Sequence, residues 1–134
     1  MSGAFFDTNI FLYSTSDDTT KADRVHDLLE TGGKISVQVL NEAVSVLRRK
    51  NKLEWDAIGV ILEGLKAACE VESITEQTHT LALSIAERFG YHIYDASILA
   101  AAKLAGCTTV WSEDMQDGQV VEGVRIRNPF TQVA

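Results

Sequence analysis

The sequence predicts an α/β fold, a central and mostly parallel β-sheet flanked by helices. Two observations carry this. Short apolar runs of three or four residues recur along the chain, each too brief for a helix. The segments between them repeat their apolar residues at helical spacing and are too long for hairpin turns. The 134 residues, 46% hydrophobic and 23% charged, suit one compact domain spanning 1–134 with a single core.

Taken in order, Ala4, Phe5 and Phe6 form a first strand that ends in the polar turn Asp7-Thr8-Asn9. From Asp18 a helix follows with Ala22, Val25, Leu28 and Leu29 on one face, stopped by Gly32 and Gly33. A strand over 35–37 leads into a helix from about 38 to 50, whose apolar face is Val39, Leu40, Ala43, Val46 and Leu47. The next helix, 54–68, points Trp55, Ile58, Ile61, Leu62 and Leu65 inward. A strand over 70–72 precedes Ser73-x-x-Glu76, which has the form of a capping box. The helix it opens buries Leu81, Ala82, Ile85 and Phe89 and closes at Gly90. Asp95 begins an alanine-rich helix through Ala105. A strand over 108–111 then ends in Ser112-Glu113-Asp114, and 124–126 is a last strand.

Composition excludes several classes. With Lys+Arg 12 against Asp+Glu 19 the net charge is −7, which argues against non-specific electrostatic binding of DNA or anionic membranes. A substrate held through a metal ion remains open. No apolar run reaches the roughly 18–20 residues of a membrane span, and Asp7 interrupts the N-terminal run before it resembles a secretory signal. Cytoplasmic location is the expectation. Two cysteines, Cys69 and Cys107, without a C-x-x-C spacing, read as buried thiols rather than a disulfide or zinc site. No G-x-S-x-G elbow, phosphate-binding glycine loop or dinucleotide fingerprint is present. His26, His79 and His92 stand beside no nucleophile and read as surface residues.

In parallel sheets ligands bind beyond the carboxyl ends of the strands. Asp7 and Asp114 follow strands, and Asp95 stands at an element end. Glu42 falls three residues after Val39 and four before Val46, inside an apolar helix face, where a carboxylate is costly unless paired or bound to metal. Each acid also has an ordinary explanation. Asp7 could bond turn amides, Asp95 could be an N-cap, Asp114 and Asp117 could be solvated loop acids, and Glu42 could pair with Arg48 or another base. Converging carboxylates without cations repel one another, and a hard divalent ion such as Mg²⁺ resolves that conflict.

Four segments together, Phe6-Asp7-Thr8-Asn9, Asn41-Glu42, Tyr94-Asp95-Ala96-Ser97 running on to Ala102, and Trp111-Ser112-Glu113-Asp114, resemble the PIN-domain ribonucleases, and among them the VapC-type toxins of toxin–antitoxin modules. The resemblance covers most of the chain and implies a single PIN-like domain. It implies that Asp7, Glu42, Asp95 and Asp114 form an acidic quartet holding Mg²⁺ or Mn²⁺, with Asp117 a further acid, and that Asn9 and Ser112 hydrogen-bond within the cluster. The implied activity is an endoribonuclease that leaves a 3′-hydroxyl and a 5′-phosphate. The implied partners are an RNA substrate, a cognate antitoxin and a second copy in a homodimer. Arg48, Arg49, Lys50 and Lys52 close the helix that carries Glu42, and are expected either to hold RNA phosphates or only to complement the helix dipole. Trp55, Ile58, Ile61 and Leu62 are either core or a surface for an antitoxin helix. A non-catalytic PIN-like binding module and a housekeeping RNA-processing nuclease are the competing functions.

Overall fold

A computed structural model describes residues 3–131. Its sheet has the order β3-β2-β1-β4-β6-β5, built from β1 (Ala4–Phe6), β2 (Lys34–Ser36), β3 (Glu70–Glu72), β4 (Thr109–Trp111), β5 (Val120–Val121) and β6 (Val124–Arg127). Every pairing is parallel except β5 with β6. The helices are α1 (Thr8–Leu12), α2 (Thr19–Glu30), α3 (Val37–Arg49), α4 (Trp55–Ala68), α5 (Glu76–Phe89) and α6 (Ile93–Leu104), with a 3₁₀ turn at Tyr13–Thr15.

The consecutive Phe5 and Phe6 side chains, which point to opposite faces of the sheet, are both fully buried, so helices cover both faces. Ile35, Val110 and Ile126 extend this core across the neighbouring strands, and Ile10, Val25, Val39, Ile85 and Leu99 close on it from the helices. Seven consecutive residues of α6, Ala96 to Ala102, are buried. Five of them, Ala96, Ser97, Ala100, Ala101 and Ala102, are small, which lets α6 sit close between α5 and the sheet, touching β2, β4 and β6, with Ile98 and Leu99 filling the core. Cys69 and Cys107 are buried free thiols, and burial pushes the Cys69 thiol up to about 11, out of reach of ordinary thiolate chemistry.

Several local expectations are corrected. Asp7-Thr8-Asn9 is not a turn: Asp7 caps α1, which starts at once. The α5 capping box is formed by Thr75 and Thr78, not Ser73 and Glu76, because the helix begins two residues later than the sequence pattern suggests. His92 caps α6 through Nδ1, so Asp95 lies inside the first turn and is not an N-cap. Strand β5 was not anticipated. Its hairpin with β6 turns through Glu122 (φ 54°) and Gly123 (φ 80°), the left-handed pair that a two-residue hairpin loop requires. On α4, Ile58 and Leu65 are core as expected, but Trp55 is 59% exposed and faces outward.

Gly33 is fixed by packing. A methyl group there would lie 2.5 Å from the buried Phe6 ring and 3.2 Å from the Ala4 carbonyl oxygen. Gly33→Ala is therefore expected to cost about 1–3 kcal/mol. Gly64→Ala, mid-helix with nothing within 4 Å, is expected to gain about 0.5–1 kcal/mol. Urea unfolding midpoints of the two variants should move in opposite directions at unchanged m-value.

Candidate active site

Chain reversal on either side of β1 opens a crevice at the carboxyl ends of β1 and β4, and both strands deliver an acid there. The Asp7 N–H continues the ladder to the Trp111 carbonyl at 3.0 Å, which fixes the two strand ends side by side. Asp7 itself is 6% exposed. Its Oδ1 accepts the Thr8 N–H at 2.7 Å and its Oδ2 accepts the Ser112 hydroxyl at 2.9 Å. Buried Ser112 also accepts the N–H groups of Asp114 and Met115 at 3.2 and 3.3 Å, and so shapes the loop that presents Asp114. Asn9 donates to Asp114 Oδ2 at 2.8 Å. The hydrogen bonds expected of Asn9 and Ser112 within the cluster are thus present.

Glu42 reaches the crevice from α3, half-buried in the apolar face where the sequence put it. Its Oε1 accepts the Thr8 hydroxyl at 2.5 Å. No ion pair to Arg48 or another base forms among the described residues. Asp95 points in from the first turn of α6, and its carboxylate accepts no hydrogen bond among the described residues. Together Asp7, Thr8, Asn9, Glu42, Arg49, Asp95 and Asp114 line one cavity of about 340 Å³, with Ser45 and Val46 completing its wall.

Burial pushes the Asp7 carboxyl up to about 6; the Ser112 and Thr8 bonds oppose this, and the charges of Asp95 and Asp114 add to it. Asp95 is also raised, by burial first, then by Asp114 and Glu42, against the pull of His92. Unpaired like charges in one cavity are a standing electrostatic cost. The donor set is all oxygen, which suits a hard cation. Among the described residues, no three His, Cys, Asp or Glu side chains close into a cage. An ion such as Mg²⁺, which keeps several waters and takes few carboxylates, fits that open arrangement.

Asp117 is not brought to the cavity. Its Oδ1 accepts the Asn128 N–H at 2.8 Å and ties the loop after β4 to the end of β6. The basic cluster is divided as well. Arg49 lines the cavity, whereas Arg48 donates to the Leu53 carbonyl at 3.0 Å and stacks 4.7 Å from the Trp55 ring centroid. Thr8, Ser45 and Val46 join the site without a functional role assigned from the sequence, where Thr8 stands only in a turn and motif and Val46 only on an apolar helix face. A signal existed for the last two: they stand three and four residues after Glu42, and Arg49 stands seven after it, on the same helix face. Thr8 was hidden by reading its segment as a turn.

Comparison with known proteins agrees with this architecture. The DNA-bound VapBC of Salmonella typhimurium superposes with a TM-score of 0.74 at 20% identity, covering 96% of this chain and 99% of that one. VapC20 of Mycobacterium tuberculosis, a Sarcin-Ricin loop cleaving toxin, gives 0.69 at 21% identity over 91% and 98%. A toxin–antitoxin complex from Klebsiella pneumoniae gives 0.69 at 21% over 95% and 98%. No curated protein sequence matches the chain. At these identities the likenesses speak for the fold. The PIN domain family model matches residues 4–117, from the first strand through the loop beyond β4, and the chain belongs to that family.

Proposed function

We propose that the protein is a metal-dependent endoribonuclease, the toxin of a toxin–antitoxin module, working as a single unit over 1–134. The observation that carries this reading is the set of four carboxylates, none in an ion pair among the described residues, lining one cavity at the carboxyl edge of the sheet. The family match and the fold shared with VapC-type toxins support it.

Asp7, Asp95 and Asp114 are assigned to hold Mg²⁺ or Mn²⁺, in part through the ion's own waters, since no three carboxylates close into a cage among the described residues. The ion, when bound, screens the phosphodiester from the carboxylates, acidifies water and stabilises charge on the reacting phosphate. Thr8 fixes one oxygen of Glu42; the other has no protein partner among the described residues and is free to ligate or to take the proton of the attacking water. Water attacks phosphorus in line and the bond to the 3′ oxygen breaks, leaving a 3′-hydroxyl and a 5′-phosphate. Asn9 and Ser112 hold Asp114 and Asp7 in place throughout.

The partners follow the same reading: an RNA substrate, a second copy in a homodimer, and a cognate antitoxin with a basic side chain to offset the acidic cavity. Of the α4 residues expected to meet such an antitoxin, Trp55 is exposed and available, whereas Ile58 is buried in the core. No helix among the described residues is long and apolar enough to cross a membrane.

Induced expression with a growth and RNA-integrity readout tests the reading. The unsubstituted chain is expected to arrest growth with a discrete RNA cut, and purified protein to cut RNA with Mg²⁺ and not with EDTA. Undiminished cutting in EDTA, or a folded protein that never cuts RNA, would overturn it.

A further inference from the structure

A second groove, of about 510 Å³, adjoins the carboxylate cavity. The two share Asn9 and Asp114, and the hydrogen bond between those side chains forms the divide. Consecutive residues at the end of α3 serve the two spaces: Arg49 lines the first and Lys50 the second. Both are exposed, and among the described residues neither side chain makes a hydrogen bond or ion pair. Arg48 is consumed by Leu53 and Trp55. The three cations therefore differ in use, which a mere response to the helix dipole does not explain.

The remaining wall is mostly polar and carries two acids besides Asp114. Lys21 pairs with the Glu113 carboxylate at 2.8 Å and Tyr13 donates to it at 2.8 Å, so that charge is largely offset. Asp17 is exposed at the rim with no ion-pair partner among the described residues, so Lys50 has to outweigh it for a phosphate to enter. Asn51 presents an amide with no side-chain partner among the described residues, and Leu12 and Tyr13 supply an apolar side. A strand cut in the first cavity must continue into neighbouring room. This groove offers a cation for a phosphate, an amide for a base edge and a carbon wall for a base face.

We infer that this groove is the subsite for the nucleotide next to the scissile phosphate of a single-stranded RNA, with Lys50 on its phosphate and Asn51 on its base. Single strands suit it because their unstacked bases are open to side-chain contact. The inference rests on the nuclease reading.

The test uses a short fluorescein-labelled single-stranded RNA in magnesium buffer, with every protein carrying Asp95→Asn so that binding is read without cleavage. Adding Lys50→Ala is expected to weaken binding about fivefold and to flatten its log–log salt slope by about 0.7, one phosphate contact on a single strand. Asn51→Ala should weaken binding at an unchanged slope. Lys103→Ala, exposed at the far end of α6, should change neither. Unchanged affinity and slope in Lys50→Ala, or an equal loss in Lys103→Ala, would overturn the subsite. Cleavage by the unsubstituted chain together with RNA binding that ignores Lys50 would overturn the subsite alone; an unsubstituted chain that cuts no RNA would overturn the nuclease reading and the subsite with it.

Discussion

Asp95→Asn is expected to lower RNA cleavage at least about a thousandfold, roughly 4 kcal/mol of transition-state stabilisation, while leaving the fold slightly more stable. The two halves of this expectation have one cause. His92, not Asp95, caps α6, and the Asp95 carboxylate accepts no hydrogen bond among the described residues, so the fold's use for its charge is confined to the weak pull of the α6 N-terminus and of His92. Burial and the neighbouring Asp114 and Glu42 carboxylates make that charge unfavourable, as its raised pKa records. An amide of the same shape removes the repulsion and also removes the metal ligand that the proposed function assigns to Asp95. Single-turnover cleavage assays and thermal melts on the same preparations check both halves. A variant that loses activity because it melts early would reveal a structural residue instead.

Asp7→Asn should change how stability depends on pH. The Asp7 carboxyl titrates near 3.8 when free and near 6 in the folded chain, so the folded state binds this proton more tightly. Its contribution is fully present below about pH 4 and is lost as pH rises through 6, by up to about 3 kcal/mol. The asparagine variant lacks this term. It is expected to be the more stable protein at pH 7.5 by about 1–2 kcal/mol, after a discount for the altered bond to Ser112, and to lose that advantage at pH 4. Added Mg²⁺ should raise the wild-type melting temperature at pH 7.5 and leave the variant nearly unmoved. Parallel pH profiles for the two proteins would contradict the assignment of the shift to Asp7.

The sheet was legible because its strands are short, apolar and separated by helices of unmistakable period. Strand 70–72 was placed to the residue. Glu42 could be found because a carboxylate inside an apolar stripe contradicts its own helix. Other features were hidden for physical reasons. Thr8 follows an Asp, and Asp-Thr-Asn reads equally as a turn or as a cap with the first residues of a helix; only packing of α1 against α3 decides. The β5–β6 hairpin turns on Glu-Gly, without the Asn or Asp that advertises a left-handed pair. Trp55 fits the apolar period of α4 but lies at its first residue, where the period carries little information and the core has ended. That Asp117 serves Asn128 instead of the cavity depends on where β6 returns, which spacing along the chain does not encode.

The sheet ends on one side at β3, three residues long, and on the other at β5, only two. At β3, Glu70 and Glu72 flank Lys34 of the neighbouring strand, 3.6 and 3.2 Å from its Nζ. A foreign strand seeking to add itself would gain few backbone bonds and meet two carboxylates at the rim. Such a molecule is poorly suited to templating fibrils or to recruiting other proteins by sheet extension. Its associations are left to helical faces and side-chain surfaces, where sequence divergence can separate one family member's partners from another's without disturbing the scaffold.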